Sequence, residues 1–314
     1  MELSIIILNY NTKKLLEGCL RSVFDKIKIR DYEVIVVDNA STDGSAEMVK
    51  SNFPQVKLIE NDENLGFARG NNQGIRISKG RYVLLLNNDT LVLDDDFDKV
   101  IKFMDENKDI GILGCRINNP DGSLQLSCYK LPSMWEMFTH YTFLTRLFPD
   151  SSWCGDYRNW PHNEIKEVGF VIGAFFLIRK DVIDDIGLLD EEFFLNAEES
   201  EYCLRAKKAG WKTVFYPDFK IIHYGGQTKK FMKERELLST FKGTDYLIKK
   251  HHNLAYFITY RFLSFILSLI RLGIFGTSLL FANGVLREEI KNKFNHSKKL
   301  LAFQLRHTIK SKYD

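Results

Sequence analysis

Carboxylates, amides and one histidine stand at the ends of short apolar runs in this chain, where a polar side chain can face a ligand without breaking a core. The first is Asp38, in Val36-Val37-Asp38-Asn39-Ala40-Ser41-Thr42-Asp43-Gly44-Ser45. A carboxylate there either accepts hydrogen bonds from a nucleobase or ribose or folds back as a turn-forming Asx residue, while Asp43 suits the cap of a following helix. The second is Asp89, which follows Val83-Leu84-Leu85-Leu86 and the amides Asn87 and Asn88. A buried carboxylate is costly unless it is paired or on a metal, and Mg2+ or Mn2+ shared with substrate phosphates needs only one or two protein carboxylates. A solvated strand end opening a turn is the alternative. The third group is Glu198-Glu199-Ser200-Glu201, after Phe193-Phe194. One carboxylate aimed into a cleft would serve as a general base, although acidic residues in a first helical turn also simply match the helix dipole. His223, in His223-Tyr224-Gly225-Gly226-Gln227-Thr228, ends another apolar run and is either structural or a ligand.

Residues 64–74, Asn64-Leu65-Gly66-Phe67-Ala68-Arg69-Gly70-Asn71-Asn72-Gln73-Gly74, form a glycine-rich segment leading into a helix. Its glycines do not follow G-x-G-x-x-G and it does not follow the first strand, which disfavours a dinucleotide site. No G-x-x-x-x-G-K-[ST] occurs. What remains is close backbone approach to a ligand, with Arg69 and Asn71 as donors to a base or diphosphate.

The elements that must position these residues alternate. Residues 3–8, 33–37, 56–60 and 82–86 are short, rich in Ile, Val and Leu, and read as strands buried on both faces. Residues 13–24, 46–52, 68–78 and 97–107 read as helices. This alternation implies a parallel sheet with right-handed crossovers, whose ligands bind beyond the carboxyl ends of the strands. Asn9-Tyr10-Asn11, Asp38-Asn39 and Asn87-Asn88-Asp89 all lie at such ends. Residues 168–178 read as a further strand, followed by a helix through residues 199–209 and strands at 212–216 and 220–223. Residues 117–165 are less regular and rich in aromatics, including Trp135, Phe138, Tyr141, Phe143, Phe148, Trp153, Tyr157 and Trp160; a helical insertion with its own small core is preferred over an acceptor-binding surface.

The 314 residues suit one large domain or two ordinary ones, and 45% hydrophobic with 27% charged residues excludes a disordered, collagen-like or polytopic membrane chain. A net charge of +3 from 44 basic and 41 acidic residues is too balanced for a dedicated nucleic-acid binder. Five widely spaced cysteines without C-x-x-C fit a reducing compartment, and no secretory signal is read at the N-terminus. Residues 254–286 are strongly apolar but interrupted by Arg261 and Arg271. The longest charge-free piece, residues 272–286, falls short of the ~20 residues that span a bilayer, so this region is expected to form interfacial helices. The basic tail after it (Lys291, Lys293, Lys298, Lys299, Arg306, Lys310, Lys312) would face anionic lipid. Packing on the globule or across a homodimer is the alternative.

In this order and spacing the motifs resemble the inverting, GT-A-fold glycosyltransferases of family 2, especially the bacterial rhamnosyltransferase-like branch. Five segments carry the resemblance: Ile6-Ile7-Leu8-Asn9-Tyr10-Asn11, residues 37–45, residues 64–74, Leu86-Asn87-Asn88-Asp89-Thr90, and Leu189-Asp190-Glu191-Glu192-Phe193-Phe194 through Glu199 to Gly210-Trp211. The resemblance implies an α/β, mostly parallel twisted sheet with helices on both faces. It divides the chain into a GT-A domain at 1–230, with a nucleotide-sugar half at 1–116 and an acceptor half at 117–230, and a helical C-terminal region at 231–314. By the same resemblance Asp38 holds the nucleobase, with Asn9, Tyr10, Asn11, Asn39 and Asn88 lining the nucleotide site. Asp89 matches the last Asp of the family's metal motif, and His223 the His of a late H-x-x-G motif that completes the metal or diphosphate site. Glu199 matches the family's base and Glu198 the Glu before it. Two departures stand out: amides occupy 87 and 88, leaving Asp89 alone to supply charge, and the base position holds Glu rather than Asp, with Glu198 and Glu201 as competitors. The implied activity is metal-dependent inverting transfer from a nucleoside-diphosphate sugar (dTDP-rhamnose or a UDP-sugar) to a saccharide or lipid-linked saccharide in cell-surface polysaccharide synthesis. It is placed in the cytoplasm at the inner membrane face. A nucleotidyltransferase and a non-catalytic carbohydrate binder are the rivals.

Overall fold

The computed structural model describes residues 1–149, 151, 153–193, 196–225 and 233–306, with residues 233–238 and 306 given by backbone alone. Phe194, Gly226, Gln227, Thr228, Lys310, Lys312 and the Arg306 side chain, all singled out above, lie outside the described residues. The chain begins with β1 (Leu3–Asn9), α1 (Lys13–Lys26), β2 (Tyr32–Asp38), α2 (Ser45–Asn52), β3 (Lys57–Glu60), α3 (Gly66–Ile77) and β4 (Tyr82–Asn87). It continues through β5 (Thr90–Val92), α4 (Phe97–Glu106), β6 (Ile110–Asn118), β7 (Leu124–Gln125), β8 (Cys128–Tyr129), α5 (Met134–Tyr141) and α6 (Leu144–Leu147). Then come β9 (Lys166–Glu167), β10 (Phe170–Val171), β11 (Phe175–Arg179), α7 (Lys180–Ile186), α8 (Glu198–Lys208) and β12 (Lys212–His223). The last helices are α9 (Lys233–His251), α10 (Leu254–Phe281) and α11 (Gly284–Arg306).

Two compact units result: Met1–Leu131 with Trp160–Lys233, and Pro132–Asn159 with Glu234–Asp314. Residues 132–159, expected within the first 230 residues, therefore join the late helices. Trp160 stays with the first unit, its ring 4.3 Å from that of His162 and 5.0 Å from that of Phe215.

The first unit is built on a sheet ordered β3-β2-β1-β4-β11-β6-β12-β5, with β7 on β6 and β9 on β12. The central strands are apolar on both faces because both faces are covered: Leu3, Ile5, Ile6 and Ile7 have no exposed surface. The α1 stripe Leu16, Cys19, Leu20 and Val23 recurs at helical spacing and is wholly buried. β1, β2, β3 and β4 are parallel neighbours, and β6 and β12 are parallel to each other. β11 runs antiparallel to both β4 and β6, and β5 antiparallel to β12. The sheet is thus mixed, and its reversed strands matter. β11 begins where β4 ends (Phe175 opposite Leu86), and β12 ends beside β5 (His223 opposite Thr90).

Three expected segments are redrawn. Residues 168–178 break into β10 and β11, because Gly169 and Gly173 pass too close to neighbours for a regular ladder. A Cβ on Gly169 would lie 2.3 Å from Leu131 N. The segments 212–216 and 220–223 are one strand, β12, whose register shifts between Tyr216 and Lys220 around Pro217, which has no N–H to give the ladder.

In the second unit, Ser133 caps α5 by accepting from Glu136 N, and Asn253 caps α10 by accepting from Tyr256 N. α10 corrects the expected length of the apolar region. It is one 28-residue helix whose most apolar window averages a hydropathy of 1.9, so by length and composition it could cross a bilayer. Its arginines do not interrupt that character, because they turn inward. Arg261 Nη1 pairs with Asp245 at 3.0 Å and Nη2 donates to the Gln304 carbonyl at 2.8 Å. The Arg271 guanidinium lies 4.9 Å from the Tyr141 ring centroid and 5.1 Å from that of Phe143.

Candidate active site

Parallel register places Asn9 directly beside Asp38 and Leu8 beside Asn87 at the carboxyl edge of β2, β1 and β4. Asn9 is the hub. Its Nδ2 donates to Asp38 Oδ2 at 2.9 Å and to Ser41 Oγ at 3.1 Å. Its Oδ1 accepts from Thr12 Oγ1 at 2.7 Å and from Asn88 Nδ2 at 2.9 Å. Asp38 is 3% exposed, and Ser41 N donates to its Oδ1 at 2.7 Å. Amide donors thus make burial of the charge tolerable. Asn11, at φ +52°, receives Thr42 N on its Oδ1 and so ties the loop after β1 to the loop after β2. Tyr10 between them is 38% exposed. Asp43 accepts from both Lys13 N and Ser45 N, at the starts of α1 and α2.

The glycine-rich segment works differently from its expected role. Gly70 and Gly74 bring α3 onto β1: a Cβ on Gly70 would lie 2.4 Å from Leu8 Cδ1, and one on Gly74 2.6 Å from Ile6 Cγ2. Their missing side chains serve helix–strand contact and not a phosphate cradle. Asn71 is 2% exposed and donates to the Phe67 carbonyl, inside its own helix. Arg69 faces Glu191 at 3.8 Å, beside the Arg76–Glu191 pair at 2.7 Å. Asn39 donates to Asn64 Oδ1 and the Gly66 carbonyl, tying the end of β2 to the start of α3. Neither Arg69 nor Asn71 is brought to the Asn9–Asp38 cluster by a direct hydrogen bond.

At the end of β4 the chain turns straight into the reversed β5, and β12, which runs in the same direction as β4, brings His223 to the same place. His223 Nε2 lies 3.1 Å from Asp89 Oδ1 and 3.4 Å from Asn87 Nδ2. Tyr224 N donates to the Asp89 carbonyl at 2.9 Å. An imidazole nitrogen and a carboxylate oxygen at this spacing are a hard-cation donor pair, and they fit Mg2+ or Mn2+ when the substrate supplies further oxygens.

The third cluster grows from the start of β11. Asn87 N donates to the Ala174 carbonyl, and the neighbouring Gly173 N donates to Glu199 Oε1 at 2.8 Å. A short run of backbone therefore links the Asp89 turn to the first turn of α8. Gly173 leaves room there, because a Cβ would stand 2.7 Å from Glu199 Oε1 and 2.7 Å from Phe67 Cζ and would push those side chains aside. Before α8, Asn196 and Ala197 are both left-handed (φ +70° and +78°), a strain usually kept where a side chain must be aimed. The three glutamates separate cleanly. Glu201 is fully buried and held by both oxygens on Arg205 Nε, at 2.9 and 3.0 Å. Glu198 is 2% exposed with Oε2 unpartnered, and burial, then the charge of Glu199, pushes its carboxyl well above the usual range. Only Glu199 of the three is partly exposed.

Residues 4–187 match the family described as Glycosyl transferase family 2. This chain belongs to that family. The N-acetylglucosaminyl-diphospho-decaprenol L-rhamnosyltransferase of Mycobacterium tuberculosis is 25% identical over 71% of this chain and 76% of its own length. A mannosyltransferase of Pyrobaculum calidifontis, solved with GDP-Man and Mn2+, superposes with a TM-score of 0.57 at 16% identity over 99% of this chain and 88% of that one. GalNAc-T7, solved with UDP, GalNAc and Mn2+, gives 0.59 at 14% identity over 98% and 57%. The fold of this glycosyltransferase is accordingly GT-A, and the nucleotidyltransferase and the non-catalytic binder are set aside. Reading the glycosyltransferase sequence had passed over Thr12, Ser41, Gln125 and Gly173. Thr12 directly follows one quoted motif and Ser41 stands inside another, and both are legible as hydroxyls flanking strand ends. Gln125 and Gly173 carry no local signal, since their partners lie 98 and 26 residues away.

Proposed function

We propose that the enzyme transfers a sugar, with inversion, from dTDP-rhamnose or a UDP-sugar to a saccharide or lipid-linked saccharide during cell-surface polysaccharide synthesis. The observation that supports this reading is the Asn87–Ala174–Gly173–Glu199 connection, a short run of backbone between the Asp89 turn and the partly exposed Glu199. Asp38, Asn9, Tyr10, Asn11, Asn39 and Asn88 receive the nucleotide. Asp89 and His223 hold a divalent cation together with the donor's diphosphate; when bound, that ion neutralises charge growing on the departing diphosphate. Glu199 Oε2 takes the proton of the acceptor hydroxyl as its oxygen attacks the anomeric carbon, while Oε1 stays on Gly173 N. Glu198, neutral and buried, supports the first turn of α8 and leaves proton removal to Glu199. Asp89→Ala and Glu199→Gln should each reduce transfer by orders of magnitude with unchanged unfolding temperature. Near-normal turnover of both variants, in an Mn2+-supplemented assay over a panel of nucleotide sugars, would refute the assignment.

The enzyme works at the inner face of the cytoplasmic membrane, where a lipid-linked acceptor is presented. Support comes from the polarity of α10. Its buried side carries Tyr260, Ser264, Ser268 and the inward arginines along with Leu267 and Phe275, while Leu254, Ile258, Phe262, Ile270, Leu280 and Phe281 are more than half exposed. Exposed hydroxyls bond back to the helix itself, Thr259 to the Ala255 carbonyl and Thr277 to that of Gly273. A helix with polar groups inside and apolar groups outside suits a lipid surround, and Lys291, Lys293, Lys298 and Lys299 on α11 suit anionic headgroups.

A further inference from the structure

Resting on the cation position proposed above, we propose that Gln125 is a positioning residue for it: its amide fixes the His223 tautomer that leaves Nε2 bare toward Asp89. His223 Nδ1 lies 2.6 Å from Gln125 Oε1. The orientation of that amide is determined by its other end. Gln125 Nε2 donates to Asn119 Oδ1 at 2.7 Å and to the His223 backbone carbonyl at 3.3 Å. A carbonyl only accepts, so the amide nitrogen must lie on that side and the amide oxygen must face the ring. Asn119 is oriented in the same way, its Nδ2 reaching Ser123 Oγ at 2.9 Å and the Leu124 carbonyl at 3.5 Å. An amide oxygen facing Nδ1 requires hydrogen on that nitrogen. With hydrogen held on Nδ1, Nε2 is the nitrogen whose lone pair can face a cation; without one, the 3.1 Å contact to Asp89 Oδ1 needs a proton between the two atoms, which an arriving cation displaces. Two lone-pair donors at this spacing draw a cation into their shared direction.

The hairpin between β6 and β7 holds Gln125 in place. Asn119 N donates to the Ser123 carbonyl, Gly122 sits at φ +84°, and Asp121 Oδ1 accepts from Ser123 N. Gln125 then pairs in register with Ile117 on β6, the strand next to β12. Gln125 reaches the reaction only through His223. Partners of this kind set ligand geometry, and their loss typically weakens metal affinity by about 10–100-fold.

The test uses the full chain with Gln125→Leu, Gln125→Glu and His223→Ala. Two readouts need no turnover: the His223 tautomer by nitrogen NMR above the ring's ordinary titration range, and Mn2+ affinity by electron paramagnetic resonance. Gln125→Leu should lose the Nδ1–H preference and weaken Mn2+ binding by about 10-fold or more, while Gln125→Glu, which still accepts from Nδ1, should keep the tautomer. In transfer assays Gln125→Leu should raise the Mn2+ requirement more than it lowers kcat. An unchanged tautomer and Mn2+ affinity in Gln125→Leu, with His223→Ala clearly weakened, would overturn the role of Gln125 alone. Unchanged Mn2+ affinity in His223→Ala would instead overturn the cation position itself.

Discussion

α4 in the first unit and α10 in the second are built with opposite polarity. α4 buries Phe97, Val100, Ile101 and Met104 and turns Asp98, Lys99, Lys102 and Asp105 outward, as a helix in water must. α10 buries Tyr260, Ser264 and Ser268 together with Leu267 and Phe275, and turns Ile258, Phe262 and Phe281 outward. The difference teaches that apolar burial alone does not account for which side chains the second unit turns inward. In the first, apolar burial drives the chain inward. In the second, a polar cluster joins the helices: Asp245 to Arg261, Arg261 to the Gln304 carbonyl, and Gln304 Nε2 to Ser264 Oγ. In water such a cluster contributes little; against hydrocarbon its alternative is an unsatisfied polar group.

One substitution type applied to both helices is the most direct way to break the comparison. Val100→Asp places a charge at a fully buried position and should cost about 4 kcal/mol or more, unfolding the first unit in a denaturant titration. Phe262→Asp alters a side chain that is 63% exposed and should leave stability within about 0.5 kcal/mol. It should also reduce partition into anionic vesicles by about tenfold or more, as read by flotation. A loss of dimer in Phe262→Asp, with vesicle binding unmoved, would assign that face to a second copy of the chain.

A smaller intervention probes the strain in the first unit. Gly173→Ala drives a Cβ into Glu199 Oε1 and Phe67 Cζ, both ends of movable side chains. The fold should survive, with transfer reduced by about 10²-fold because the carboxylate is displaced by roughly an ångström. Transfer within twofold of the parent would show that the Gly173–Glu199 contact does not aim the base.

The first unit was largely legible because buried parallel strands are unbroken apolar runs, and the polar residue ending each run has to lie at the carboxyl edge of the sheet. Asn9, Asp38 and Asp89 announced themselves in that way. The glycine segment misled because a glycine permits close approach without saying to what; here Leu8 and Ile6 are the answer. Residues 132–159 could not be assigned to the late helices, since that contact is long-range and the segment has no period of its own. The inversion of α10 was present but unread. Arg261, Ser264, Ser268 and Arg271 fall three, four and three residues apart, a single polar stripe on an otherwise apolar helix.

The smallest effects sharpen the comparison through pH, using from each unit one group whose proton affinity its surroundings shift, in opposite senses. In the first, the Glu198 carboxyl is raised by burial and by Glu199, so the folded state binds its proton more tightly than the unfolded one. Its contribution is favourable below the ordinary carboxylate range and is lost as pH rises toward the raised folded value. In the second, His140 is pushed down to about 4 by burial and by the charges of Arg271 and Arg158. There the unfolded state binds the proton more tightly, so stability is complete above the ordinary histidine value and is lost as pH falls from about 6.5 toward 4. Glu198→Gln should therefore gain unfolding temperature over the parent increasingly at alkaline pH, and His140→Phe increasingly at acid pH. Melting curves across that range should diverge from the parent at opposite ends. Parallel curves for either variant would mean that its group is reached by water in the folded state, and for His140 that the core shared by Tyr141, Phe143 and Arg271 is open enough to admit a charged ring.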